Sequence, residues 1–138
     1  DDLVVLQKQI GARPSWASIS TFEGEEAIVA DTLLDVKKTA KNPLAIIVPR
    51  HVERSDGIEK MLTDKGLKVA RRSRGDQITT DIDVFIGDTT GEMGLYLSLT
   101  KIVFVGKSLT GEGGQNPLEP AMLALKVFSK IILGENAT

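Results

Sequence analysis

The sequence predicts an α/β fold built on an open, mostly parallel sheet, and three observations carry that reading. Strand-length and helix-length apolar periods alternate along the chain. Leu44 to Val48 is an uninterrupted apolar run, as expected of a strand covered on both faces. Turn-forming or acidic segments follow the strands, where open sheets of this kind bind ligands.

In chain order, Leu3, Leu6 and Ile10 recur at helical spacing, and Gly11 closes that short helix. Ser15 to Ser20 reads as a strand, and Ser20-Thr21-Phe22-Glu23 has the pattern of a capping box. The helix it opens is expected to reach about Lys41, burying Ile28, Val29, Leu33 and Val36, until Asn42-Pro43 stops it. After the Leu44–Val48 strand, a helix from about Asp56 turns Ile58, Met61 and Leu62 inward and ends at Gly66. Leu67 to Ala70 is a weaker strand, leading into Arg71, Arg72 and Arg74. Ile82 to Ile86 is the next strand, followed by Gly87 to Glu92 and a short helix through Leu95 and Leu97. Ile102 to Val105 is another strand, and a glycine-rich loop then feeds a helix at Pro117.

Four segments follow strands and are expected along one edge of the sheet: Ser20 to Glu25, Pro49 to Arg54, Asp88 to Glu92 and Gly106 to Glu119. The last contains Gly113-Gly114-Gln115-Asn116-Pro117-Leu118-Glu119-Pro120-Ala121, the densest set of signals in the chain. Asn116 suits an N-cap, Pro117 a position needing no N–H, and Glu119 a reach back to the cap. The glycines admit a ligand to the backbone, and a helix start favours an anion.

Composition narrows the chemistry. The 138 residues fall in the range of one domain, with 41% hydrophobic and 26% charged residues. A net charge of −2 argues against nucleic acid. The absence of cysteine excludes disulfides and thiolate chemistry, and a single histidine excludes a histidine-rich metal site. No apolar run approaches the length of a membrane span and no signal peptide opens the sequence, so a soluble domain suited to a reducing cytoplasm is expected.

Each constellation also has an ordinary explanation. Gly106-Lys107-Ser108 imitates the end of a phosphate loop, but Lys101 stands where that pattern needs glycine. Arg50, after a buried strand, suits either forked phosphate recognition or the satisfaction of nearby carbonyls. His51 suits an acid–base role or a structural one. Thr89-Thr90-Gly91-Glu92 reads as a ligand loop or a capping box, and Glu119 has the same duality. Glu25 and Glu26 are expected to complement the helix dipole. Arg71, Arg72 and Arg74 read as a solvated cluster rather than an anion patch, and Trp16 and Tyr96 as packing residues. No hydrolase constellation is present.

Taken together, five motifs resemble a known family: Arg13-Pro14-Ser15-Trp16, the segment from Ser20 to Glu26, the segment from Pro49 to Arg54, Asp88-Thr89-Thr90-Gly91-Glu92, and the segment from Gly113 to Ala121. In this order and spacing they resemble the C-terminal domain of bacterial 3-deoxy-D-manno-octulosonic acid (Kdo) transferase. The resemblance covers about Ile10 to Ala121. It implies a Rossmann-like three-layer domain, the C-terminal half of a GT-B glycosyltransferase of lipopolysaccharide synthesis.

By the same resemblance residues 1–138 form one donor-binding domain, with the N-terminal acceptor domain absent. The donor would be CMP-Kdo and the acceptor the lipid A precursor, bound through the missing domain at the cytoplasmic face of the inner membrane. Pro49 and Arg50 would contact the CMP moiety, Thr90, Gly91 and Glu92 would line the nucleotide pocket, and Asn116, Pro117, Leu118 and Glu119 would hold the phosphate and ribose. No metal or other cofactor is implied. No catalytic residue is expected in this chain, because the family's base belongs to the N-terminal domain, so the fragment alone is expected to be inactive.

The sequence departs from the family at Phe22 and Gln115, where histidine is usual, and along residues 122–138, a divergent tail. The competing expectation is a stand-alone α/β module that binds a phosphorylated small molecule or a protein partner, its motif loops serving only as caps and turns.

Overall fold

Polar residues punctuate the apolar periods, and the resulting elements stack in three layers. The computed structural model describes residues 1–106 and Val127. In chain order the elements are α1 (Asp2–Ile10), β1 (Ser15–Thr21), α2 (Glu25–Val36), β2 (Leu44–Pro49), α3 (Ser55–Asp64), β3 (Val69–Arg71), β4 (Val84–Ile86), α4 (Met93–Leu97) and β5 (Val103–Val105). Short 3-10 turns precede α3 at Val52–Arg54 and follow β3 at Arg72–Arg74.

The described strands pair in parallel, in the order β3-β4-β2-β1-β5. Period-two alternation divides the core between the two faces of this sheet. On one face Trp16, Ala45, Ile47, Val84 and Ile86 meet Val29 and Leu33 of α2 and Ile58 and Leu62 of α3, joined by Val127. On the other, Ala17, Ile46, Val48 and Phe85 meet Leu6 and Ile10 of α1 and Tyr96 of α4. Trp16 and Tyr96 are fully buried packing residues, as expected.

The Arg13-Pro14-Ser15-Trp16 motif is a structural device at the amino edge of the sheet. Arg13 donates to the carbonyls of Asn42 (3.0 Å), Pro43 (3.3 Å) and Ile82 (2.6 Å), tying the entries of β2 and β4 together. A planar fork of five donors suits this task better than a lysine ammonium.

Two expectations about α2 are corrected. The pairing of β1 shifts register between Ile19 and Thr21, and Ser20 takes a left-handed conformation with φ 54°. This bulge keeps the backbone extended through Thr21, so the capping box at Ser20–Glu23 does not form. Gly24, at φ 92°, is the N-cap instead, and Glu25 accepts from the Phe22 N–H at 2.8 Å. At the other end α2 stops at Val36 rather than near Lys41, its last carbonyls taken up by tight turns at Lys38, Thr39 and Ala40.

Candidate functional site

Parallel pairing puts the carboxyl ends of the strands on one edge. Thr21 lies opposite Pro49, Ile47 opposite Ile86, and Ile19 opposite Val105. The loops after β1, β2 and β4, and Gly106 after β5, therefore share a rim, as the sequence predicts. Adjacent strands β2 and β4 lead to opposite faces, through α3 into one core and through α4 into the other. Such a switch opens a crevice between their exit loops.

On the β2 side, Pro49 ends the strand in a buried position, and the Arg50 N–H donates to the Thr21 carbonyl at 3.0 Å. The exposed Arg50 guanidinium lies 5.3 Å from the centroid of the Phe22 ring, a cation–π contact. Phe22 meets His51 edge-on at 6.5 Å, so the departure from the family pattern at Phe22 creates an aromatic support for Arg50. Among the described residues no carboxylate forms an ion pair with Arg50. His51 is exposed, 3.9 Å from Glu53. The carbonyl-satisfying alternative for Arg50 has no counterpart among the described contacts of its side chain.

On the β4 side, Gly87 gives Tyr96 its seat, because a Cβ there would lie 2.7 Å from the Tyr96 ring. Thr90 and Gly91 are exposed at the loop tip, and Gly91 has φ 80°, a conformation that favours glycine. Glu92 neither caps α4 by its side chain nor points free. Arg72 forks onto both its oxygens at 3.0 and 2.9 Å, and the Thr89 hydroxyl donates to it at 2.6 Å.

The arginines that end and follow β3 are corrected from a solvated cluster to a set of ion pairs. Arg71 donates to Asp56 (2.7 Å), Glu59 (3.1 Å) and the buried Asp88 (2.8 Å). Arg72 reaches Asp2 as well as Glu92, and Arg74 pairs with Glu59 and Asp76. Glu25 and Glu26 are also more than dipole partners. Both are buried, and Arg54 forks onto Glu26 at 2.6 and 3.1 Å. With Glu25 on the Phe22 amide, the start of α2 carries its own carboxylate and offers little to a second anion. A cavity of about 400 Å³ between α2 and α3 includes Glu26 and Arg54, but these two charges already satisfy each other.

Asn116, Pro117, Leu118 and Glu119 lie outside the described residues. Among those described, no group of three acidic or histidine side chains is arranged to hold a metal ion, and no helix is long and apolar enough to cross a membrane.

Arg72, and then Thr89, hold the Glu92 carboxyl down to about 2 from its ordinary 4.5. For Asp88, burial pushes upward, yet hydrogen bonds from Ser73 and Arg71 outweigh it and hold the group below the usual carboxylate range. A carboxyl whose folded value is depressed adds stability above its unfolded value, and that stability is lost as pH falls through the folded one. Urea midpoints should therefore hold steady from pH 7 to about 5 and fall steeply between about 4.5 and 2. Glu92→Gln should show a shallower fall over that window. An equal slope in the variant would mean that the Arg72 pair contributes nothing.

No family model matches the chain. It is 35% identical over 129 residues to 3-deoxy-D-manno-octulosonic acid transferase of Haemophilus influenzae, covering 94% of this chain and 30% of the relative. It is 40% identical over 111 residues to the protein of that name from Bordetella pertussis, covering 78% and 26%. A bifunctional glycosyltransferase/methyltransferase of Fusobacterium nucleatum is 35% identical over 113 residues, covering 80% and 17%. Among solved structures, the C-terminal CMP-Kdo binding domain of WaaA from Acinetobacter baumannii superposes with a TM-score of 0.73 at 27% identity, covering 97% of this chain and 77% of that one. The chain thus spans at most 30% of the length of these curated relatives.

Proposed function

The chain belongs to the 3-deoxy-D-manno-octulosonic acid transferase family, and from that premise we propose that it is the part that binds the CMP-Kdo donor. Its whole protein would then be a GT-B glycosyltransferase that transfers Kdo to the lipid A precursor at the cytoplasmic face of the bacterial inner membrane. The acceptor and the general base belong to an N-terminal domain in this reading.

One observation carries the assignment to this edge. The register of β2 against β4 sets the exposed Arg50 and the exposed Thr90-Gly91 tip on either side of the strand-order switch. Arg50, supported by Phe22 and without a carboxylate partner among the described residues, presents its fork to a phosphate. Backbone N–H groups at Thr90 and Gly91 offer further donors. Pro49 fixes the strand end from which Arg50 departs. Asn116, Pro117, Leu118 and Glu119 would complete the pocket around the phosphate and ribose. Donors of this kind also stabilise charge that develops on a departing CMP phosphate.

Calorimetric titration of the chain with CMP, and with UMP for comparison, tests the reading. CMP should bind more tightly than UMP. Arg50→Ala should weaken CMP by about tenfold, the value of one charged hydrogen-bonding contact near a surface. Absence of CMP binding at millimolar concentration would refute the donor assignment.

A further inference from the structure

Resting on that donor reading, we propose that Phe22 is a positioning residue for the donor phosphate, acting through Arg50. Its ring orients the guanidinium while leaving open the N–H groups that a phosphate needs. An exposed arginine has a large rotamer entropy, and fixing it beforehand reduces the ordering cost of binding. Other arginines of this fold are fixed by carboxylates, which engage their donors. Arg54 gives both arms of its fork to Glu26, and Arg72 gives Nε and Nη2 to Glu92. Arg50 is held in another way. Its guanidinium carbon stands 5.3 Å from the Phe22 centroid, and among the described residues no hydrogen bond or ion pair engages its side chain. A phenyl ring attracts the cation through its quadrupole and has no lone pair to offer the fork.

The backbone sets both partners in place. Thr21 lies opposite Pro49 in the β1–β2 pairing, so Phe22 and Arg50 leave the two strand ends side by side. The Phe22 N–H donates to Glu25 Oε1 at 2.8 Å, and the Arg50 N–H donates to the Thr21 carbonyl at 3.0 Å. One turn further on, the Arg54 fork on the buried Glu26 ties the segment after β2 to the first turn of α2. These holds lie on either side of the Phe22–Arg50 contact, and His51 meets the same ring edge-on at 6.5 Å. The pair is therefore formed before ligand arrives.

A double-mutant cycle on the CMP Kd, read by calorimetry on the 138-residue chain, tests this. Phe22→Leu should raise Kd about fourfold, the value of a cation–π contact at an exposed site. In the Arg50→Ala background the same substitution should leave Kd within about twofold, because the ring then has no guanidinium to orient. Phe22→Tyr keeps the ring and should stay within about twofold of the parent. If Phe22→Leu does not fold, Phe22→Met takes its place with the same expectation. In the ligand-free chain, the Arg50 side-chain protons should carry an upfield ring-current shift that Phe22→Tyr retains and Phe22→Leu abolishes.

Unchanged Kd in folded Phe22→Leu would overturn the proposal, as would equal losses in the tyrosine and leucine variants. So would an effect of Phe22→Leu that persists undiminished without Arg50, since the ring would then act by another route. If the parent chain binds no CMP, the donor reading itself has failed, and the positioning role falls with it. A ring-current shift on Arg50 would in that case assign the contact to loop structure alone.

Discussion

Arg71→Leu is expected to lower folding stability by about 3 kcal/mol, the low end for removing one partner of a buried ion pair. Arg71 is nearly buried and serves three carboxylates, of which Asp88 is the critical one because its side chain is only 1% exposed. Without Arg71, Asp88 keeps its two bonds from Ser73 but loses the charge that balances it in the interior. Asp56 and Glu59 add less, since Asp56 is exposed to water. The ordinary range for this event reaches about 5 kcal/mol, and the surviving Ser73 bonds argue for the lower figure. Urea unfolding at pH 7 checks it. Asp88→Asn made in the Arg71→Leu background should cost much less than in the parent, since the buried charge is then already unpaired. A loss below about 1 kcal/mol for Arg71→Leu would place the network with ordinary surface pairs.

Gly106→Ala is the second large effect, also about 3 kcal/mol, the upper part of the range for overpacking a close contact. A Cβ at this position would stand 2.0 Å from the Ser20 carbonyl oxygen and 2.7 Å from its carbon, and neither is a side-chain atom free to swing aside. The Gly106 N–H also donates to the Ile19 carbonyl at 2.7 Å, so the two segments cannot separate without losing that bond. Ser20 is already in a left-handed conformation at φ 54° and has little room to yield. Relief would have to come from peeling β5 off β1 along Ala17–Ile19. Gly94→Ala provides the control, because a Cβ there meets nothing within 4 Å and the residue lies in a helix. The control should unfold at or slightly above the parental midpoint. Equal midpoints for the two variants would show that the Ser20–Gly106 approach carries no constraint.

Much of the architecture was legible because its signals are local. The apolar run at Leu44–Val48 announces a strand buried on both faces, and Ile58 and Leu62 announce an inward helical face, both as observed. Strand ends sharing one rim follow from parallel pairing, so Pro49, Arg50, Thr90 and Gly91 could be assigned to one edge before any coordinates. The α2 boundaries were misread for a reason also visible in the fold. A register shift inside β1 is set by its neighbours β2 and β5, and no pattern within Ser20–Glu23 reports it.

The arginines were misread for a related reason. Asp2, Asp56, Glu59, Asp88 and Glu92 are distant from Arg71 and Arg72 in the chain, and only the order β3-β4-β2 brings α3 and the β4 exit loop against the end of β3. Arg71 and Arg72 look solvated because none of their side-chain partners is near in sequence; only Arg74 has one close by, Asp76.

Residue periodicity, turn chemistry and five ordered motifs by themselves determined the layered α/β class, the shared edge of the strand ends and the kinship with Kdo transferases. Tertiary structure alone decided which charges are spent on holding the loops and which, like Arg50, have no carboxylate partner among the described residues. The division is physical: backbone preference and amphipathic period act over a few residues, whereas a buried ion pair depends on elements that meet only when the sheet is assembled.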